Sequence, residues 1–348
     1  VIDIVAFFST NLHQAFAQLG VCRTGSSARN IMIMKAIIFP AALILGARLA
    51  TAASIDPASA REVLFDATPG ELAADACPAG DDPAAEIECL IRLRYSSDPQ
   101  AQAMAVDFYR RTGCVPGLLP EEDFDGGYRG IIHLVPALPA GKDRRHLKFV
   151  AESLYSYQEL FAELEKRSGK TLAYRTRDLA FFFFRSQKKR TPAAFAHGWS
   201  VGYNVNGSLN HSVDVVRELL FHEIFHLNDH AHGDWSHTAL AAVYRSIQKK
   251  CGTRMTCLAP YAQGFVKVVG GTYYAFTPGN GVWEYAAELS IQYLREQREI
   301  IAGRKVKKPF KCGPPENAHA WKLLVDEFFS GVDLVPPCSG SETPKPPR

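Results

Sequence analysis

The sequence predicts an α+β fold, a mixed sheet packed with helices and preceded by a smaller helical region. Three observations carry this. Apolar residues recur at helical spacing over long windows, and short β-rich runs bounded by glycine or proline lie between those windows. The 348 residues are also 47% apolar and 11% aromatic, enough to bury a sizeable core. That balance excludes a disordered chain and a mini-protein held only by disulfides.

Residues 34–52 have the order of a secretory signal peptide. Met34-Lys35 is a short basic start, Ala36 to Leu45 an apolar stretch, and Ala50-Thr51-Ala52 a small-x-small cleavage site. The apolar stretch is too short to span a bilayer comfortably, so a retained membrane span is not expected. Residues 1–33 then read as a dispensable extension ahead of the true start. Cleavage near Ala52 would give a secreted or periplasmic protein. The formal charge of +3 comes wholly from residues 1–52, because they hold Arg23, Arg29, Lys35 and Arg48 against Asp3. The remainder is neutral and has no basic stripe with interleaved aromatics, so no nucleic-acid partner is expected. A monomer is expected.

Residues 53–140 read as a helical, disulfide-tied N-terminal region, with helices near Ala84–Leu93 and Pro99–Thr112 and a strand over Tyr128–Val135. From 141 to 338 the signals strengthen. Leu147, Val150, Ala151, Leu154, Phe161 and Leu164 predict one long helix that Gly169 ends. Thr171–Arg185, with its four phenylalanines, predicts a buried strand. Gly198–Val205 predicts the sheet's edge strand, running into an Asn206-Gly207 turn. Helices follow over Ser212–Asn228 and Trp283–Ile300. Residues 339–348 read as a disordered tail. Of the seven cysteines beyond the leader, local pairing predicts Cys77–Cys89, Cys251–Cys257 and Cys312–Cys338, leaving Cys114 odd.

The helix from Ser212 contains His222-Glu223-Ile224-Phe225-His226. Two imidazoles four residues apart share a helical face and can reach one tetrahedral zinc ion, while Glu223 stands where it can take a proton from water. Leu219, Leu220, Ile224, Phe225 and Leu227 surround them with uncharged bulk. A third ligand is needed, and two candidates compete. Glu284 sits in Trp283-Glu284-Tyr285-Ala286-Ala287-Glu288, where Glu288 shares its face and can orient a ligating histidine. His232 has the spacing of a third histidine in HExxHxxGxxH, with Asp229 in place of the glycine and Met255 a candidate methionine-turn residue.

The HExxH helix followed by an ExxAE helix resembles the gluzincin type of zincin metallopeptidase. Glu284-Tyr285-Ala286-Ala287-Glu288 is similar to the glutamate helix of the anthrax lethal factor type catalytic domain. The resemblance covers roughly residues 145–300 at superfamily level. It implies a zincin-like domain with one zinc ion on His222, His226 and Glu284, and Tyr274, or else Tyr273, assisting the oxyanion. The loop Pro278–Val282 is longer than the family's, a departure at the tyrosine. The implied activity is zinc-dependent peptide-bond hydrolysis on a protein or peptide substrate, with Glu223 as general base. A non-proteolytic zinc-binding domain and a metzincin-type peptidase using His232 are the alternatives. A zinc-blocking role for Cys114 is a further reading of the odd cysteine.

Overall fold

The sheet owes its centre to one strand. In this computed structural model, which describes residues 55–65, 76–77, 80–126, 130–268 and 270–338, six strands form a mixed sheet. They are β1 (Val115–Leu118), β2 (Glu122–Asp125), β3 (Ile131–Pro136), β4 (Ala180–Ser186), β5 (Ala194–His197) and β6 (Ser200–Asn204), and the main path runs β2-β3-β4-β6-β5. β4 pairs in parallel with β6 on one flank. Its other flank is shared end to end, by β1 in parallel with residues 180–183 and by β3 antiparallel to residues 184–186. Phe181, Phe183 and Phe184 are fully buried there, as a strand covered on both faces requires. The expected leader, the extension before it and the tail fall outside the described residues.

Ten α-helices are described: α1 (Pro57–Phe65), α2 (Pro83–Arg94), α3 (Pro99–Thr112), α4 (Arg144–Ser168), α5 (Val213–Ala231), α6 (Trp235–Ala239), α7 (Ala241–Cys251), α8 (Met255–Leu258), α9 (Val282–Ile301) and α10 (Pro315–Phe328). The two expected N-terminal helices are α2 and α3. Each opens on an aspartate, Asp82 or Asp98, whose carboxylate accepts two first-turn amides, with proline next in the chain. α4 buries all six residues of its predicted face and ends on Gly169 at φ 68°. It lies against α5, which in turn packs on α9 and on β5. All three expected disulfides form, and Cys114 is free and buried. Among the described residues no helix is long and apolar enough to cross a membrane.

Two sequence expectations need correction. Thr171–Leu179 is not strand. Its amides go to other partners instead: Leu172 donates to Glu165 Oε1, Tyr174 to the Phe328 carbonyl and Arg175 to Asn228 Oδ1. The Tyr174 ring lies in stacked geometry with Phe221 at 4.8 Å, under α5. Nor does Gly198–Val205 supply the edge strand. Gly198, at φ 56°, opens a two-residue turn that folds Ala194–His197 back as β5, so β6 is interior and β5 is the edge. Opposite Phe195 stands Gly202, where a Cβ would come within 2.5 Å of the phenylalanine ring.

Candidate metal centre

α5 begins where Ser212 caps it, its hydroxyl facing the Val215 amide, and then runs through the interior with buried residues on every side. Two tyrosine hydroxyls hold it from below. Tyr157 bonds the Arg217 carbonyl and Tyr174 the Phe221 carbonyl at 2.9 Å. The helix thereby presents His222 and His226 side by side, ring centroids 4.8 Å apart. α9 starts at Val282, so Glu284 falls in its first turn and reaches across to both rings.

Glu284 Oε2 lies 2.9 Å from His222 Nε2 and 3.7 Å from His226 Nε2. Ligand atoms at about 2.0–2.1 Å from a tetrahedral zinc stand roughly 3.3 Å from one another, so these separations bracket the edge of such a site. His222, His226 and Glu284 form the one group of three or more metal-type ligands found among the described residues. In the metal-free protein, burial disfavours charge on His222, but Glu284 outweighs it and raises the ring to about 9. Burial likewise opposes ionisation of Glu284, and the two histidines overcome it, holding the carboxyl at about 2.

Glu223 is fully buried beside this group, and neither of its carboxylate oxygens has a hydrogen-bond partner. Burial pushes its pKa upward, against the pull of His222 and His226. A buried carboxylate left in this way is costly to the fold unless a ligand, ion or water completes it. The donor set therefore fits a divalent metal of zinc's preferences, with a base next to the open side.

Tyr274 reaches the same group, its hydroxyl 3.2 Å from Glu284 Oε1. Burial and the neighbouring carboxylates keep its pKa well above 10, so it stays a donor. Tyr273 instead pairs with Lys267 across an isolated bridge, the lysine ammonium 5.5 Å above its ring. Glu288 is buried, but its Oε2 accepts the Val266 amide at 3.1 Å, not a ring N–H of His222. Val266 in turn accepts the Tyr274 amide at 2.8 Å. The second glutamate of α9 thus fixes the loop that carries Tyr274, a role the i, i+4 spacing alone did not reveal.

No family model, curated protein or solved structure matches the chain. The chemistry of the site stands on its geometry.

His232 does not join the ligands. Asp229, in the glycine position, does not end α5. Its carboxylate accepts the Ser236 amide and hydroxyl at 2.7 and 2.6 Å, and α5 continues to Ala231. His232 then pairs with Glu327 at 2.6 Å and packs on Phe328 of α10. His230 bonds Asp234 near the surface, and His237 lies against Trp283. Met255 opens α8. Cys114 sits just before β1, its sulfur near the Thr112 carbonyl and the Leu179 amide, and burial raises the thiol to about 11. Those contacts, the second with a residue 65 positions away in sequence, engage the thiol in the sheet region and leave the zinc-blocking reading without support.

Sequence reading missed the cavity next to the metal group. It is about 110 Å³ and reaches His222, Glu223 and Glu288, with Leu209, Val215, Leu219, Val266 and Ile291 as apolar walls. A signal was present. Val215, Leu219 and His222 recur on one face of α5, and Glu288, Ile291 and Arg295 on one face of α9.

Proposed function

We propose that the chain is a secreted zinc-dependent endopeptidase with a zincin-like catalytic domain, its metal held by His222, His226 and Glu284. The observation that carries this reading is the buried, unpartnered Glu223 carboxylate beside a three-ligand group of zinc-like spacing. A structural metal site has no use for such a base. Three disulfides fit an oxidising compartment.

A bound zinc ion would supply Lewis acidity and a water of lowered pKa. Glu223 accepts the proton of the attacking water on a carboxylate oxygen and returns it to the departing amine nitrogen. The Tyr274 hydroxyl, now directed at Glu284 Oε1, donates to the carbonyl oxygen as negative charge develops there. β5, the edge strand against α5, offers its free side to an extended peptide.

The test is elemental analysis joined to peptide hydrolysis. Wild-type protein should carry one zinc ion per chain and cleave. Glu223→Gln should keep the zinc and lose about 10²–10⁴-fold in kcat. His222→Ala should lose both. Purified protein that takes up no zinc sinks the proposal, and zinc uptake with unchanged activity in Glu223→Gln favours a non-proteolytic metal-binding domain.

A further inference from the structure

Net neutrality beyond residue 52 hides a segregation of charge. Residues 241–270 hold five basic residues and no acidic one, and residues 302–311 another five and none. The two stretches are distant in sequence but meet in space. Gln263 Nε2 donates to the Lys308 carbonyl at 2.8 Å, and the Phe265 and Phe310 rings lie in stacked geometry at 5.8 Å. The Asn317 side-chain amide donates to the carbonyls of both Pro260 and Phe310. Two residues before Gln263, the Tyr261 hydroxyl accepts the Lys250 ammonium, and the Arg254 guanidinium donates to the Lys250 and Cys251 carbonyls. Disulfides pin both stretches. Cys251–Cys257 closes the turn around Arg254, and Cys312–Cys338 ties down the chain next to Lys311.

Part of this charge is already paired. Arg304 grips both oxygens of Glu299, and Lys311 pairs with Asp333. Lys249, Lys250, Arg254, Lys305, Lys307 and Lys308 are exposed, and Glu316, half-buried at the start of α10, is the carboxylate whose field Lys250 feels. The last turn of α7 gives a reason for Lys249 and Lys250, whose charges suit its carbonyl end. It gives none for three lysines within residues 305–308, whose mutual repulsion an external anion would relieve. The surroundings narrow the anion. Every aromatic ring in the two stretches (Tyr244, Tyr261, Phe265, Phe310) is buried, so none can stack on the bases of a single strand. The exposed large apolar side chain among the described residues, Ile131, lies on β3 and not here, so the face has no anchor for a lipid surface. Five of the six exposed cations are lysines, hydrated point charges without the fork that grips one phosphate bidentately.

We propose that this face binds a linear anionic polysaccharide, a polymer of repeated sulfate or carboxylate groups. Such polymers share the oxidising compartment that the three disulfides fit. The inference is independent of the peptidase reading. The role it assigns is tethering: the polymer holds the protein in place and leaves the metal centre open.

The test titrates the full chain into a fluorescently labelled heparin dodecasaccharide and reads anisotropy from 50 to 200 mM salt. Six cations that displace counterions should weaken binding about 10³-fold over that range. Lys305→Ser/Lys307→Ser/Lys308→Ser should lower the slope of log affinity against log salt by about three, and Lys249→Ser/Lys250→Ser by about two. Lys188→Ser/Lys189→Ser, on an exposed turn elsewhere, should leave it unchanged. His222→Ala should bind heparin as the wild type does, whether or not the protein proves to be a zinc enzyme. No heparin binding at 50 mM salt, or a slope that both patch variants leave intact, overturns the inference. So does a loss of heparin binding in His222→Ala, which would place the anion at the metal centre. Tighter binding at equal salt to a short DNA duplex, or to vesicles of phosphatidylcholine and phosphatidylserine, overturns the assignment to a polysaccharide.

Discussion

In the metal-free protein a proton and a metal compete for one nitrogen. Glu284 Oε2 lies 2.9 Å from His222 Nε2 and holds that ring at about 9, so at neutral pH the proton sits on the atom that a zinc ion would need. Loading the metal must expel it. Zinc affinity should therefore rise about tenfold per pH unit up to about pH 9. The metal-free fold moves the opposite way. A histidine raised above 6.5 lends stability that is complete below 6.5 and is lost as the pH climbs through about 9. Between pH 7 and pH 9 the free energy of zinc binding should grow by about 2 kcal/mol, since half of the rings have already lost the proton at pH 9. For a chain of this size that widens the gap between zinc-loaded and chelated melting temperatures by about 4 °C. Scanning fluorimetry at buffered free zinc across this range measures the gap, and titrating groups common to both forms cancel. Calorimetry in two buffers of different ionisation enthalpy should count one proton released per ion at pH 7. A gap that stays flat while zinc stays bound would show that His222 carries no displaceable proton, and the reasoning would fail.

Other expectations follow from single contacts. Tyr274→Phe should retain zinc and lose about 10²–10³-fold in kcat with little change in KM; an unchanged kcat would remove the tyrosine from the chemistry. Asp229→Ala strands the buried amide and hydroxyl of Ser236 and should cost about 2 kcal/mol in urea unfolding. Its zinc content should stay at wild-type level, which distinguishes a helix-turn anchor from a metal ligand. Cys114, buried with a raised pKa, should resist thiol reagents in the native protein and be labelled only on unfolding, as read by peptide mapping. Labelling of the folded protein at the rate of a free thiol would contradict its burial.

Much of the site was legible because it is local. His222, Glu223 and His226 lie on one helical turn, and Glu284 and Glu288 on another. Ser212 and Gly169 marked their helix ends by the same short-range chemistry. The three disulfides close separations of 12, 6 and 26 residues, so nearest-neighbour pairing found them. What stayed hidden is non-local or competes with a stronger local signal. The apolar run from Thr171 looked like the start of β4, but Tyr174 is needed under Phe221, 47 residues away. His232 matched a ligand spacing, yet its fate depends on Glu327, 95 residues on. Gly198 looked like a strand residue, and only its left-handed backbone makes it the turn that creates the edge strand. The partnership of Glu218 with Arg295 is likewise a meeting of two helices, invisible to either one's periodicity.

The shared flank of β4 bears on which parts of the chain the fold can spare. β1 and β3 together cover that flank along its whole length, and both precede residue 140. Tyr95 of the same segment donates to the Pro116 carbonyl from a fully buried position. Trimming the chain through β1 or β3 would strip hydrogen-bonding partners from the central strand and bare the phenylalanines behind it. Residues 115–136 are therefore built into the sheet, not appended to it. A truncation that takes β1 or β3 should therefore lower the melting temperature of the remaining chain.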